Sequence, residues 1–418
     1  MDWNQNFSKT MGAATALVRA GRLGDATQAI QQALAGVGAG AGGAPRPAPV
    51  QPARPALPTT STPRWAQPLG AAQDLVQDAV VIDRSSTAPP SNPRSSSAAV
   101  SAPASARSKS EAPGSFERVA FSYAGAQHHY RLYVPPGAVA NQPMPLVLML
   151  HGCTQSPDDF ATGTGMNPAA AQANALVLYP AQPRSANANA CWNWFDPSHQ
   201  HRGTGEPALL VAMVRDVEAR HHVDAQRVYV AGLSAGGAMA AVLAREYPDV
   251  FAAVGVHSGL QAGAAHNLMA ALSAMSTGTR PTVVPAQAPP QGVLASLAPL
   301  IVFHGDADTT VHAKNGEQLV DAALLALAGT GASVQRESIP GQSAAGQRYT
   351  RTVYRQHTGA SATANADTDV VAEHWALHGA GHAWSGGHAP GSHTDPRGIS
   401  ATQEMLRFFL AHPQKAQH

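Results

Sequence analysis

The strongest constraint on this chain is a buried strand that leads directly into a helix through a glycine–serine turn. The stretch RVYVAGLS (227–234) is rich in apolar and β-branched residues, as in a strand buried on both faces, and AGGAMAAVLAREYP (235–248) is typical of a helix. A Gly-x-Ser-x-Gly pattern spans their junction at 232–236. The pattern alone is weak, because glycine and serine are common. At this junction it predicts a sharp turn that exposes Ser234 as a nucleophile, and the alternative is a structural serine in a glycine-rich turn.

Segments of strand length alternate with helical segments over about residues 115–412. FERVAFSYAGAQHHYRLYVPP (116–136) predicts two antiparallel strands because apolar and polar residues alternate. Continuous apolar runs predict strands buried on both faces, at 145–152, 175–180, 227–234, 252–259, 299–308 and 371–379. Helices are predicted at 208–221, 235–248, 318–329 and 400–412. The alternation predicts an α/β fold with a mostly parallel sheet and helices on both faces, and 261–298, which fits neither pattern, is interpreted as a flap beside the site.

Composition divides the chain into three regions. Residues 1–37 carry apolar side chains at helical spacing interrupted at Gly21, which predicts a helical hairpin. A lone helix pair cannot bury both of its faces, so we interpret it as a docking element, with a solvated appendage as the alternative. Residues 38–113 are rich in alanine, proline and serine and predict a disordered linker, because such a stretch buries too little apolar area. Residues 114–418 form the predicted catalytic domain.

Charge and cysteine content exclude several classes of protein. The formal net charge is +1 with histidine neutral, which argues against a nucleic-acid partner. No segment has the roughly 20 consecutive apolar residues that span a bilayer, which argues against a membrane partner. Two cysteines, Cys153 and Cys191, are too few for a disulfide framework, although one bridge between them is open. The sequence contains no metal-ligand spacing and no phosphate-binding glycine loop, so we expect no cofactor.

Two late segments supply an acid and a base for Ser234. A serine hydroxyl needs a base to remove its proton, and on an α/β-hydrolase sheet the partners follow in the order acid, then histidine. HGDAD (304–308) lies where a buried strand should end, near His304, and we predict Asp308 as the acid with Asp306 as the alternative. Among 19 histidines, position selects His382, which follows the last predicted strand in a glycine-rich loop. Together the positions predict an α/β-hydrolase fold with a Ser-His-Asp mechanism.

Backbone N–H groups must stabilise the oxyanion of the tetrahedral intermediate in such a mechanism. One donor should be Ala235, at the start of the helix that follows the nucleophile. The second should come from the loop after the strand at 145–152, where the N–H of Cys153 is the natural candidate. The alternative there is a tight turn without a catalytic role.

CWNWF (191–195) is a dense aromatic cluster in a chain with only 6% aromatic residues. Buried aromatic side chains more often belong to a core than to a ligand platform. The loop character of the surrounding sequence nevertheless favours a hydrophobic cleft lined by Trp192 and Trp194. Trp384, beside His382, is expected to line the same cleft.

Taken together, the motifs resemble those of esterases of the polyhydroxybutyrate depolymerase family. The resemblance covers about residues 115–412 and is carried by HGCTQ (151–155), CWNWF (191–195), GLSAGG (232–237), HGDADTTV (304–311) and GAGHAWSGG (379–387). It implies a short-chain polyester substrate, cleaved at its ester bonds through an acyl-enzyme. Position by position, it implies Ser234, Asp308 and His382 as the triad and Cys153 and Ala235 as the oxyanion donors.

The resemblance also implies roles for other motif residues. Trp384 and Gln155 are expected to contact substrate. The cysteines of HGC and CWNW are expected to face one another, so a Cys153–Cys191 bridge is implied in an oxidising compartment.

The chain departs from the pattern of secreted family members, which resemble a signal peptide, a catalytic domain and C-terminal polymer-binding domains. Its N-terminus lacks the cationic start and apolar core of a signal peptide, so we expect a cytoplasmic protein, either a granule-associated depolymerase or an esterase of soluble oligomers. An extracellular protein, as in most of the family, is the alternative. Feruloyl and acetylxylan esterases share much of the motif set and are the second enzymatic hypothesis. A granule-surface binding protein with an idle hydrolase domain is the non-enzymatic one.

Overall fold

The structure of the chain is a computed structural model, which describes residues 114–138, 142–279, 298–328, 332–357 and 369–414. The predicted helical hairpin (1–37) and linker (38–113) lie outside the described residues. The site and the sheet that carries it can be followed within the described ranges.

Ten strands of the described residues form one sheet, in the order β1-β2-β4-β3-β5-β6-β7-β10-β9-β8. The strands are β1 Ser115–Tyr123, β2 Ala126–Val134, β3 Met144–Leu150, β4 Leu176–Pro180, β5 Val223–Leu233, β6 Ala253–His257, β7 Leu300–Gly305, β8 Ser333–Gln342, β9 Arg348–His357 and β10 Val370–Leu377. A short second pair consists of β11 Trp384–Ser385 and β12 Thr394–Asp395. The six central strands of this order, β4, β3, β5, β6, β7 and β10, are parallel. An antiparallel pair flanks them on each side, β1–β2 on one and β9–β8 on the other.

The sheet confirms the predicted strands and adds a hairpin that was not predicted. All seven residues of β3 and all six of β7 are buried, as their continuous apolar sequences require. The β8–β9 hairpin forms one edge of the sheet, and most of β8 is exposed. A strand that covers little of the core carries no apolar run, which is why β8 gave no signal in the sequence.

Helices cover both faces of this sheet. They are α1 Pro157–Thr164, α2 Met166–Gln172, α3 Gly205–Arg220, α4 Ala235–Glu246, α5 Leu268–Thr277, α6 Lys314–Ala328 and α7 Ala401–Ala411, with a 3₁₀ turn at Pro197–His199. Alternate strand residues point to opposite faces, so the core is divided into two clusters. One cluster packs against α3, α4 and α6, and the other against α1, α2 and α7. The predicted α/β arrangement with helices on both faces is confirmed.

The segment 261–298, interpreted from the sequence as a flap, contains a regular helix in its first half. Asn267 caps α5, because its side chain accepts the N–H of Ala270 at 2.8 Å. The end of α5 is tied down by the N–H of His312, which donates to the carbonyl of Met275 at 2.8 Å. Residues 280–297 lie outside the described residues. Among the helices that the structure describes, none is long and apolar enough to cross a membrane.

Candidate active site

Ser234 lies on a strained turn between β5 and α4. Its φ of 57° and ψ of −119° are unusual for a residue with a side chain. The turn is possible because its neighbours have no Cβ: one built on Gly236 would lie 2.1 Å from the carbonyl oxygen of Leu150, and one on Gly232 would lie 2.3 Å from the carbonyl carbon of Gly236. The two glycines of the pattern are therefore required by the close approach of strand and helix.

His382 and Asp308 form a hydrogen bond of 2.7 Å between Nδ1 and Oδ2. The second carboxylate oxygen of Asp308 accepts the N–H groups of Thr310 at 2.9 Å and Val311 at 2.8 Å, which fixes its orientation. Burial alone would raise the pKa of Asp308, but the hydrogen bond and charge of His382, together with the Val311 N–H, outweigh it and hold the pKa below its ordinary value. The buried acid is therefore ionised and can orient the imidazole.

Asp306, the alternative acid, has other partners. Its carboxylate accepts the Gly379 N–H at 2.7 Å and lies 3.0 Å from Nδ1 of His378. It is half exposed, whereas the side chain of Asp308 is fully buried. The structure thus pairs the predicted base, His382, with Asp308 and uses Asp306 to hold the neighbouring turn.

The sheet brings the predicted triad to one edge. Ser234 follows the carboxyl end of β5, Asp308 follows that of β7, and His382 follows that of β10. In the sheet these strands are neighbours in the order β5-β6-β7-β10 and run parallel, so their carboxyl ends lie on the same side. This edge is where doubly wound sheets bind ligands.

A disulfide between Cys153 and Cys191 joins the loop after β3 to the loop that contains CWNWF (191–195), which is called the aromatic loop below. The Cys153 N–H, predicted to bind the oxyanion, lies at this bridge. The second predicted donor, the N–H of Ala235, belongs to the first turn of α4, where helix geometry provides no intrahelical acceptor. Both donors therefore lie at the ends of adjacent strands, β3 and β5.

His151 orients the loop of the first donor. Burial lowers the pKa of His151 to about 4, so its ring is neutral. Its Nε2 accepts the N–H of Gln182 at 3.3 Å, which leaves the proton on Nδ1 to donate to the Gly152 carbonyl at 2.8 Å. The Gly152 carbonyl and the Cys153 N–H belong to the same peptide. In a trans peptide these two groups point in opposite directions, so the Cys153 N–H is directed away from His151. No main-chain acceptor within the described residues is bonded to it.

Gln155 does not have the substrate-contacting position that was expected. The residue is 5% exposed, and its side chain is used inside the protein. Its Oε1 accepts the Gly152 N–H at 2.9 Å, and its Nε2 donates to Asp159 at 3.0 Å and to the Ser392 carbonyl at 3.1 Å. We therefore correct its role from substrate contact to support of residues 152–155, the loop of the predicted oxyanion donor, which is called the oxyanion loop below.

The three tryptophans expected in a substrate cleft lie in the core instead. Trp192 is 1% exposed and donates to the carbonyl of His151 at 3.1 Å. Trp384 is also 1% exposed, and its indole N–H donates to Thr402 at 3.0 Å. Trp194 is 5% exposed. The sequence around these tryptophans predicts loops near the site but does not predict where the side chains point. In the structure they pack into the two core clusters on the faces of the sheet.

A buried polar cluster that the sequence did not reveal holds the aromatic loop. Glu206 accepts from Gln182 Nε2 at 2.6 Å and from both the N–H and the side-chain amide of Asn193, at 2.7 Å and 2.6 Å. Gln200 donates to the Trp194 carbonyl at 2.9 Å on the other side of the loop. Isolated Gln, Asn and Glu residues carry no pattern, so only their position in space identifies them.

The described residues contain no group of three or more His, Cys, Asp or Glu side chains placed to hold a metal ion. The chemistry that these residues themselves supply is a serine hydroxyl, an imidazole with its carboxylate, and backbone N–H donors. This set is the one required for acyl transfer to serine.

Comparison with known proteins gives concordant results. The sequence profile of the family Esterase PHB depolymerase matches residues 128–338, about half of the chain. Poly(3-hydroxyalkanoate) depolymerase C of Paucimonas lemoignei is 36% identical over 193 residues, which are 45% of this chain and 46% of that protein. Feruloyl esterase B of Neurospora crassa is 37% identical over 126 residues, 30% of this chain and 42% of that protein. The chain thus spans just under half the length of these curated relatives.

Among solved structures, an acetyl xylan esterase from Aspergillus awamori matches 71% of this chain and 100% of its own, with a TM-score of 0.54 and 22% identity. At that identity the likeness shows the fold, and it confirms the predicted α/β-hydrolase arrangement. The profile match over about half of the chain confirms the resemblance inferred from the motifs. The chain belongs to the Esterase PHB depolymerase family.

Proposed function

We propose that the chain hydrolyses carboxylic esters through an acyl-enzyme, with Ser234 as nucleophile, His382 as base and Asp308 as the acid that orients it. The observation that carries this proposal is the 2.7 Å bond between His382 and the buried Asp308, at the edge of the sheet where the strained Ser234 turn also lies. A buried, ionised carboxylate on Nδ1 leaves Nε2 of the imidazole to accept a proton.

The reaction proceeds in two acyl transfers. The Ser234 hydroxyl adds to the ester carbonyl as His382 takes its proton, and the N–H groups of Cys153 and Ala235 stabilise the oxyanion. The tetrahedral intermediate collapses, the alcohol leaves with the proton from His382, and an acyl-serine remains. Water then adds to the acyl-serine by the same route, and the acid is released with Ser234 restored.

For the substrate we propose poly(3-hydroxybutyrate) or its oligomers. Membership of the Esterase PHB depolymerase family and the likeness to a poly(3-hydroxyalkanoate) depolymerase support this choice. The second candidate is a feruloyl or acetyl ester of a carbohydrate, which the 37% identity to a feruloyl esterase favours. The acyl-transfer residues are common to both classes and do not separate them.

The deciding experiment measures acid release from amorphous poly(3-hydroxybutyrate) granules, soluble hydroxybutyrate oligomers, feruloylated oligosaccharide and acetylated xylan, beside p-nitrophenyl butyrate. We expect hydrolysis of the granules or oligomers together with p-nitrophenyl butyrate. Activity restricted to the carbohydrate esters would replace the polyester with the second candidate. A Ser234→Ala variant should lose at least about 10³-fold in kcat on every substrate.

A non-catalytic granule-surface protein is the remaining alternative. A p-nitrophenyl alkylphosphonate, which loses p-nitrophenol as the Ser234 hydroxyl attacks phosphorus, would exclude it by forming a covalent adduct with Ser234 in the full chain, detected by mass spectrometry. No adduct in a folded protein that also fails to hydrolyse p-nitrophenyl butyrate would instead overturn the esterase proposal.

We also propose that the catalytic domain works in an oxidising compartment, because the Cys153–Cys191 disulfide would not persist among cytosolic thiols. This proposal favours the extracellular alternative over the cytoplasmic expectation. Maleimide labelling of protein taken directly from its native source tests it. Two reactive thiols per chain would return the protein to a reducing compartment.

A further inference from the structure

His257 occupies the last position of β6, between the strand that leads to Ser234 and the strand that leads to Asp308. Its partners across the sheet are Leu233 on β5 and Phe303 on β7. The residue has no exposed surface. It lies in the floor of the candidate active site, where substrate cannot reach it.

Two hydrogen bonds connect His257 to the turn that carries Ser234 and to the loop that carries His382. The carbonyl oxygen of His257 accepts the N–H of Ser234 at 2.9 Å, so its main chain holds the nucleophile turn. Its ring Nε2 accepts the N–H of Ser385 at 3.0 Å. Ser385 lies three residues after His382, and 128 residues separate it from His257 in the sequence.

The second bond fixes the tautomer of the ring. A backbone N–H can only donate, so Nε2 is unprotonated and Nδ1 carries the proton, which faces the hydroxyl of Ser258 at 3.2 Å. Burial lowers the pKa of His257 to about 3, which keeps the ring neutral at every pH where esterases are assayed. Each polar atom of the ring therefore has one partner.

Aromatic packing fixes the plane of the ring as well. The imidazole stacks on Trp384 with centroids 5.2 Å apart and planes 26° apart, and on Phe303 with centroids 5.8 Å apart and planes 14° apart. Trp384 is the residue directly before Ser385. The ring thus meets the His382 loop through a stacked indole and through a hydrogen bond to the next residue.

We propose that His257 is a positioning residue, which holds the His382 loop in place relative to Ser234 by accepting the Ser385 N–H. A buried histidine could serve stability alone, without effect on the reaction. The two roles differ in what they predict, because a positioning residue changes the rate of acyl transfer in protein that is fully folded. This role of His257 rests on the serine-esterase function proposed above.

Two substitutions distinguish the role of His257 as a hydrogen-bond acceptor from the packing of its aromatic ring. His257→Phe keeps a flat, stacked ring but removes the acceptor, whereas His257→Gln removes the ring but retains an amide oxygen that can accept from Ser385. We expect kcat of the Phe variant on p-nitrophenyl butyrate to fall about 10²-fold with KM nearly unchanged. The Gln variant should keep kcat within about tenfold of wild type. The rate of phosphonate labelling of Ser234 should fall in parallel with kcat.

A matched control is His412→Phe. His412 is also buried, also packs against an aromatic ring and also bonds to main-chain atoms, but its partner Val370 lies at the amino end of β10, away from the site. This variant should lose thermal stability and keep its kcat. Equal loss of kcat in the Phe and Gln variants of His257, or wild-type kcat in the Phe variant, would overturn the positioning role.

Ser258→Ala provides the test if His257→Phe does not fold. Without the hydroxyl, Nδ1–H loses its acceptor, and the ring loses one of the two hydrogen bonds that hold Nε2 against the Ser385 N–H. We expect kcat to fall several-fold in protein that circular dichroism shows to be folded, although the buried N–H without an acceptor also lowers the Tm. An unchanged kcat would overturn the role. Wild-type protein that forms no phosphonate adduct would refute the esterase function itself, whereas wild type and His257→Phe labelled at the same rate would refute only the role of His257.

Discussion

Gln155 and Ser392 are joined by a hydrogen bond although 237 residues separate them in the sequence. The side-chain amide of Gln155 donates to the Ser392 carbonyl, and its oxygen accepts the Gly152 N–H in the loop that carries the proposed oxyanion donor. Asp159 accepts from both Gln155 and Ser392, which closes the network. The loop that carries Cys153 is thereby tied to the loop that follows His382.

We expect Gln155→Leu to lower kcat about 10- to 100-fold with little change of KM, because a displaced N–H donor weakens binding of the transition state more than binding of the ester. Steady-state kinetics on p-nitrophenyl butyrate measures the effect. Ser392→Ala is the comparison and should have a smaller effect, because it removes the hydroxyl bonds to Gln155 and Asp159 but keeps the main-chain carbonyl that accepts from Gln155. A Gln155→Leu variant with wild-type kcat would show that the network does not support the donor.

Asp308→Asn should lower kcat on the order of 10⁴-fold, because an amide can stabilise neither the needed tautomer nor the imidazolium of His382. Asp306→Asn should cost less than about tenfold, since its carboxylate binds His378 and Gly379 instead. The pair is measured on the same soluble ester, with circular dichroism to confirm folding. If the Asp306 variant proved the more damaged, the acid would be assigned to the wrong carboxylate.

Reduction of the Cys153–Cys191 bridge should lower the free energy of unfolding by about 2 to 4 kcal/mol, the range for a closed loop of this size. The bridge also holds the oxyanion loop against the aromatic loop, so kcat should fall as well. Urea unfolding and ester hydrolysis with and without a phosphine reductant test both effects. A Cys153→Ala, Cys191→Ala double variant should match the reduced protein and respond to no reductant.

Glu373→Gln should destabilise the fold by about 2 to 4 kcal/mol at neutral pH, because this buried carboxylate binds Arg351, Arg407 and the indole N–H of Trp375. Burial alone would raise the pKa of Glu373, but the two arginines outweigh it and hold the pKa below its ordinary value. Its stabilising contribution is therefore complete above the unfolded-state pKa of about 4.3 and lost as the pH falls through the lower folded value.

The difference in unfolding free energy between wild type and Glu373→Gln should accordingly shrink between pH 6 and pH 3, as measured by urea titration. Glu404→Gln is the control, because it weakens the partly exposed pair with Arg407 and should cost less than about 1 kcal/mol. A difference that stayed constant down to pH 3 would show that the carboxylate charge contributes nothing.

The parts of the site that sequence predicted are those encoded by local patterns. Ser234 lies between a strand and a helix with recognisable periods, and Asp308 and His382 follow buried strands in glycine-containing loops. The central parallel strands carry continuous apolar runs, because both of their faces are covered. Each of these signals is contained in about ten residues of sequence.

The remaining features depend on contacts between distant segments. Nothing near Gln155 indicates Ser392, and nothing near His257 indicates Ser385, because those partners lie 237 and 128 residues away. The prediction that Trp192 and Trp384 line a cleft is wrong, because a loop sequence does not determine whether a side chain points to solvent or to the core. The β8–β9 hairpin was missed because most of β8 is exposed and carries no apolar run.

The close packing around Gly232 and Gly236 divides the domain into parts that an engineer can and cannot change. A single added methyl group at either glycine would meet main-chain atoms within 2.3 Å, so the two glycines around Ser234 accept no larger residue. Thr154 stands on the exposed side of the oxyanion loop, and Phe195 is partly exposed in the aromatic loop. Libraries intended to change the preferred ester should therefore vary these outer positions and leave the two glycines untouched.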